Sequence, residues 1–233
     1  LLSGWVESRW KISRPWIAIG IANPTRTKNL FFFIRGVAWA LFLILIVLGI
    51  YLCGPWEQSF QAITRDQLLN AVLLGSGVGF AEEVIFRGWL LGEMVQIVGI
   101  RSAIVIQAAI FSLAHIRFQI PLNELLLLLF GLFLLGVLLG LRRILDEGSL
   151  WGAIAFHGSL VGIWFVINSG LIEIASNTPF WLVGPGKADT NPMGGVVLIL
   201  SMTLIVFYQR KAFVRAGGSF LETVRASSKG DAP

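Results

Sequence analysis

Residues 68–98 read LLNAVLLGSGVGFAEEVIFRGWLLGEMVQIV, an apolar run that nevertheless carries Glu82, Glu83 and Arg87 near its middle. A transmembrane helix needs about 20 mostly apolar residues. A charged side chain near the bilayer centre costs about 2.5 kcal/mol or more, so three such groups in one span need partners or a task. Glu83 and Arg87 are four residues apart and share a helical face, which lets one carboxylate pair with the guanidinium. Glu82 points about 100° away around the helix. It is the carboxylate left to exchange a proton, as a general base must.

The rest of the chain agrees with a membrane setting. Of its 233 residues, 56% are hydrophobic and 13% charged. The mean hydropathy is +0.79. These values exclude an ordinary soluble domain. Apolar runs near 34–53, 67–98, 101–116, 121–141, 149–170 and 193–209 predict an all-α, polytopic transmembrane helical bundle of about six spans. With the N-terminus inside, one side of the membrane receives Arg9, Lys11, Arg14, Arg26, Lys28, Arg35, Arg101, Arg142, Arg143, Arg210, Lys211, Arg215, Arg225 and Lys229. The other receives Arg65, Arg117 and Lys187. This asymmetry predicts both termini on the positive-inside face. It also explains the net charge of +5 by loops facing anionic headgroups, and removes nucleic acid as a partner.

Three regions follow. Residues 1–29, with WVESRWKISRPWIAIGIANP ending at Pro24, alternate tryptophan with basic residues and suit an interfacial segment. Residues 30–210 form the transmembrane domain, and residues 211–233 a polar, frayed tail. The loop 171–193 carries Phe180 and Trp181, which could dip back toward the bilayer. The single Cys53 excludes an intramolecular disulfide. The chain begins Leu1-Leu2-Ser3 without methionine, as expected where an N-terminal stretch has been removed.

The chain's two histidines, His115 and His157, also lie in predicted spans. Counted along their helices, Glu82 and His115 reach a similar depth, whereas His157 needs its helix to start deeper or tilt. Gln107, Phe111 and His115 recur every four residues and share a stripe. Singly, a membrane histidine is most often a helix-to-helix hydrogen-bond partner and a Glu–Arg pair a structural clamp. Together, on three helices at compatible depths, they read as one buried site. There is no Gly-x-Ser-x-Gly elbow, no His-Glu-x-x-His helix and no phosphate loop. Ser112, Ser159 and Ser169 read as small packing residues.

The motifs EEVIFR (Glu82, Glu83, Arg87), FSLAH (Phe111, His115) and AFHGSLV (His157) resemble those of the CAAX prenyl protease and bacteriocin-processing family of intramembrane endopeptidases. The resemblance covers about residues 67–165 and implies a helical bundle around a conical cavity. It also implies catalytic roles for Glu82, which activates water, His115, which positions it, and His157, which stabilises the oxyanion. Glu83, Arg87 and Phe111 are implied as supporting residues. The family is discussed both as metal-dependent and as metal-independent, so a divalent metal such as zinc at Glu82, Glu83, His115 and His157 is compatible with the resemblance. One position departs from it: four residues after His157, where the family carries asparagine or a similar polar donor, stands Val161.

The function expected is hydrolysis of a peptide bond in a membrane-anchored protein or peptide by glutamate-activated water. The alternative is a non-proteolytic scaffold or assembly factor that stabilises another membrane protein or a larger complex, a reading that Val161 and the nine tryptophans favour. A proton-coupled transporter with Glu82 and Glu83 as relay is the third, and lacks repeated halves. The expected location is integral and multi-pass, in the plasma membrane or, in a phototroph, the thylakoid or plastid membrane.

Overall fold

The structure is a computed structural model that describes residues 1–22, 26–56, 58–175, 177–186 and 190–229, without the side chains of residues 26, 58, 212 and 214–229. Pro24 and Lys187, and the side chains of Arg26, Arg215, Arg225 and Lys229, lie outside the described residues. Two short helices, α1 (Leu2–Trp10) and α2 (Pro15–Ile19), precede the long α3 (Arg26–Cys53). A three-residue strand, β1 (Gln58–Phe60), leads to α4 (Arg65–Glu83). A π-helical segment over Val84–Leu90 joins α4 to α5 (Leu91–Leu113). Then come α6 (Leu122–Leu145), α7 (Trp151–Val166), β2 (Ile172–Ile174), α8 (Phe180–Val183) and α9 (Val196–Lys229). The chain is thus an all-α bundle. Among the described residues, one small sheet pairs β1 antiparallel to β2, with Ser59 opposite Glu173.

Local signals set the boundaries. Thr64 and Gln67 form a reciprocal capping box at the start of α4, satisfying two backbone N–H groups that the first turn leaves free. Pro121 sits just before α6, where its missing N–H costs nothing. Gly99, at φ 74° and ψ 165°, breaks the helical run Arg65–Leu113 in a conformation that a side chain would oppose.

Among the described residues, four helical runs are long and apolar enough to cross a membrane: Thr27–Cys53, Arg65–Leu113, Leu122–Leu145 and Trp151–Leu171. The second run spans 49 residues and contains the Gly99 break. It therefore holds both the second and the third spans expected from the sequence. The helix expected over 193–209 is the first half of α9, which continues as helix to Lys229 where the sequence suggests a polar tail.

In lipid, apolar side chains gain little by leaving the solvent, so helices associate through close packing and hydrogen bonds. α6 supplies Leu128, Leu132, Leu135 and Leu139 to a core shared with Leu43 and Val47 of α3, Phe156 and Leu160 of α7, and Leu198 and Met202 of α9. Leu68, Leu69, Val72, Leu73 and Phe80 of α4 are exposed, a face suited to acyl chains.

The contact that positions the site is the crossing of α4 and α7. Gly75 and Gly79 face Gly158 and Gly162, each pair spaced by four, so that the two backbones meet without side chains between them. A Cβ on Gly158 would lie 2.5 Å from the Gly75 carbonyl oxygen, and one on Gly79 would lie 2.8 Å from the Gly158 Cα. Nothing lies within 4 Å of a Cβ built on Gly77, which points to the opposite face of the same helix. Gly158→Ala should therefore destabilise the protein by about 1–3 kcal/mol through overpacking. Gly77→Ala should leave it unchanged or slightly more stable. Thermal unfolding in detergent checks this; equal midpoints for the two variants would remove the seam as the determinant of packing.

Candidate active site

The seam delivers α7 to the end of α4. Glu83 follows Gly79 by four residues and His157 precedes Gly158, so the helix crossing places these side chains together. Glu83 Oε1 accepts hydrogen bonds from Arg87 Nη1 at 2.8 Å and from His157 Nδ1 at 2.8 Å. Neither Glu83 nor Arg87 has any side-chain exposure, and His157 has 6%. A buried carboxylate between a guanidinium and an imidazole is a tolerable arrangement; the same carboxylate alone is not. His157, which helix counting places too near the membrane edge, thus joins the site directly.

Glu82 and His115 complete it on an accessible side. Glu82 Oε2 lies 3.5 Å from His115 Nε2 and 4.0 Å from His157 Nε2. The side chains of Glu82 and His115 are 27% and 31% exposed, so a molecule arriving at the protein surface can reach them, as it cannot reach Glu83 or Arg87. His115 Nδ1 lies 2.7 Å from the Phe111 carbonyl oxygen. A carbonyl only accepts, so Nδ1 carries the proton, and in the neutral ring Nε2 presents a lone pair. His157 follows the same logic, because its Nδ1 donates to Glu83. The atoms converging beside the exposed edge of Glu82 and His115 are therefore a carboxylate oxygen, itself buried, and two ring nitrogens, all acceptors. Glu82 Oε2 receives no hydrogen bond.

Phe111 holds the site from below. Its ring centroid lies 4.7 Å from that of His115 and 5.8 Å from that of His157. The Arg87 guanidinium carbon lies 4.1 Å from the same centroid, a cation–π contact that favours the charge where water is excluded. The stripe of Gln107, Phe111 and His115 behaves as its spacing predicts: Gln107 Nε2 donates to the Gly136 carbonyl at 2.8 Å and ties α5 to α6. Ser112 donates to the Leu129 carbonyl, a packing role, as does Ser169 to Val166.

Other sequence expectations come out differently. Arg142 and Arg143, expected among inner loop charges, are buried. Arg142 Nε donates to Asp146 Oδ1 at 3.0 Å, and Arg35 also pairs with that carboxylate. Arg143 reaches across to α2 and to the π-helical segment. The positive-inside count therefore rests on the remaining cations. Val161 offers no hydrogen bond, and Asn168 is engaged with Thr190, so neither supplies a second oxyanion donor. An apolar groove of about 860 Å³ lies between α3, α4 and α7, lined by residues such as Phe33, Val72, Phe80 and Ile163; Glu82, His115 and His157 do not line it. The glycine seam and Arg143 escaped the sequence reading. The first was legible as two Gly-x-x-x-Gly pairs, the second carried no signal beyond its place at the end of an apolar helix.

Two histidines and two carboxylates are chemically suited to zinc. Among the described residues, however, no group of three or more His, Cys, Asp or Glu side chains is drawn together closely enough to hold a metal ion.

The burial difference between the two glutamates has a measurable consequence. Glu83→Gln should leave Arg87 uncompensated and lower stability by about 3–5 kcal/mol. Glu82→Gln, at the open side, should shift the unfolding midpoint little. A destabilisation of equal size in the two variants would contradict this assignment of roles.

Residues 64–163 match the family model described as Rce1-like, type II CAAX prenyl endopeptidase Rce1-like. Neither a curated protein nor a solved structure matches the chain. The matched stretch, which covers less than half of the chain, contains Glu82, Glu83, Arg87, Phe111, His115 and His157, and in it the chain is similar to the CAAX prenyl proteases, integral membrane endopeptidases.

Proposed function

We propose that the chain hydrolyses a peptide bond in a membrane-associated protein, with Glu82 as general base. The observation that carries this reading is the convergence of Glu82 Oε2 with Nε2 of His115 and of His157 at 3.5 and 4.0 Å. These separations are too long for a direct hydrogen bond and suit a water molecule that donates to two of the three acceptors.

Glu82 takes one proton from that water while His115 Nε2 accepts the other as a hydrogen bond, which directs the oxygen lone pair at the scissile carbonyl carbon. The carbon–oxygen bond forms and the carbonyl π pair moves to oxygen. His157 Nε2 can donate to this oxyanion only when its ring carries both protons, and Glu83 at Nδ1 supplies the opposite charge for that state. Collapse of the tetrahedral intermediate breaks the carbon–nitrogen bond, and Glu82 returns its proton to the leaving amine. The products are a carboxylic acid and an amine, which become carboxylate and ammonium when the remaining water proton passes from one to the other, and Glu82 is regenerated.

Val161 limits the rate in this scheme. The oxyanion has one side-chain donor where an asparagine four residues after His157 would add a second, a difference of about 2.7–4 kcal/mol, or 10²–10³ in rate. It is also the observation that favours the second reading, a scaffold that binds a membrane protein without cutting it.

Terminus-resolved mass spectrometry of membranes carrying wild type, Glu82→Gln or Val161→Asn at equal abundance separates the two. Proteolysis predicts protein termini that vanish with Glu82→Gln and accumulate faster with Val161→Asn. Identical termini in all three, together with a partner that copurifies at near-equal stoichiometry, would replace the protease with the scaffold. Treating wild-type membranes with a zinc chelator, and then restoring zinc, reads out whether a metal takes part: the water scheme predicts unchanged termini.

A further inference from the structure

A buried guanidinium outside the family motifs bears on the same site. Arg143, in the last turn of α6, is 1% exposed. Its Nη1 donates to the carbonyl oxygens of Arg87 and of Gly88, the latter at 3.2 Å. Its Nη2 donates to the Ala18 carbonyl of α2 at 2.7 Å. One planar side chain thus fastens three carbonyls on two elements to a third.

The two carbonyls on the site side belong to the π-helical segment Val84–Leu90. A π turn widens the helix by one residue and disturbs the regular ladder of carbonyl partners; such turns are commonly found at functional sites. Here the widening begins directly after Glu83 and includes Arg87. It fixes where the Glu83 carboxylate lies relative to α7, and so where His157 points. We propose that Arg143 is a positioning residue: by holding the carbonyls of Arg87 and Gly88 it sets the π register that places Glu83 against His157, and by holding Ala18 it makes the N-terminal α2 part of that support. Arginine is required because its fork directs several N–H donors in one plane, whereas a lysine ammonium is a single point of charge on a flexible stem. For its effect on turnover this inference rests on the proteolytic reading; for its effect on geometry it does not.

The test exploits the presence of only two histidines in the chain. Protein labelled with ¹⁵N-histidine in lipid bilayers gives separable imidazole signals, assigned by His115→Gln and His157→Gln. Arg143→Lys retains the positive charge. If Arg143 positions the site, Arg143→Lys moves the His157 ring nitrogens in the direction that Glu83→Gln moves them, more than it moves those of His115. Adding Arg143→Lys to Glu83→Gln then produces little further shift. Where turnover is measurable, kcat falls by about 10²-fold with KM unchanged, as a misplacement of about 1 Å would cause. A folded Arg143→Lys protein whose His157 signals match wild type overturns the proposal, leaving Arg143 a general structural tie. If Arg143→Lys does not accumulate, an ester in place of the peptide bond between Arg87 and Gly88 weakens that acceptor while keeping every side chain. The same His157 shift is then expected, and its absence overturns the proposal. Loss of proteolytic termini plays no part in the spectral result, so a non-proteolytic protein could still confirm or refute the positioning role.

Discussion

The Glu83 carboxylate, sealed from water, is the constraint from which the rest of the site follows. An ionised carboxylate in so dry a place persists only with opposite charge and hydrogen bonds close by, and the two groups within 2.8 Å of its Oε1 are Arg87 from the next turn and His157 from another helix. Meeting that need orders three things at once. Arg87 is drawn over Phe111, His157 is fixed with Nδ1 inward and Nε2 outward, and Glu82, one residue away, is left with an oxygen that no donor claims. The two adjacent glutamates therefore do different work because one is sealed among its partners, while the other has a part-exposed side chain and a buried oxygen left unpartnered.

That arrangement is possible because α4 and α7 approach more closely than side chains would allow. The glycines at 75, 79, 158 and 162 remove the steric layer between the helices, and the polar residues sit at the end of the same seam. In a bilayer, where apolar burial offers little drive for helices to associate, such a seam and the hydrogen bonds beside it carry much of the packing. Specificity of fold and placement of the site thus share one cause, and a change of one methyl group on Gly158 would be felt at His157. The supports extend outward from there: Arg143 ties the π-helical segment to α2, and Arg9 and Trp10 of α1 both donate to Glu93 of α5.

Much of this was legible in the sequence, and what was not has physical reasons. The spacing of Glu83 and Arg87 predicted their pair, because i and i+4 share a helical face whatever surrounds them. The 107–111–115 spacing placed Phe111 on the stripe of His115 for the same reason, and the two rings are in contact. Depth counting failed for His157, since it assumed straight helices crossing at a common level, while α7 meets α4 where the glycines allow it. Arg142 and Arg143 read as loop charges because a cationic pair at the end of an apolar helix usually marks the membrane edge; only the tertiary structure reveals the Asp146 carboxylate and the backbone carbonyls that make their burial tolerable. The boundary expected between the spans 67–98 and 101–116 falls at Gly99, where the backbone breaks an otherwise continuous helical run.

The whole arrangement depends on His157 meeting Glu83 within the membrane. Rotational-echo solid-state NMR on protein labelled with ¹³C at the glutamate side-chain carboxyls and ¹⁵N at the histidine rings, reconstituted in bilayers, measures that contact directly. The account predicts a close coupling between one glutamate carboxyl and His157 Nδ1 that disappears in Glu83→Gln and survives in Glu82→Gln. A His157 ring with no nearby glutamate carboxyl, or a coupling lost with Glu82→Gln instead, would contradict it.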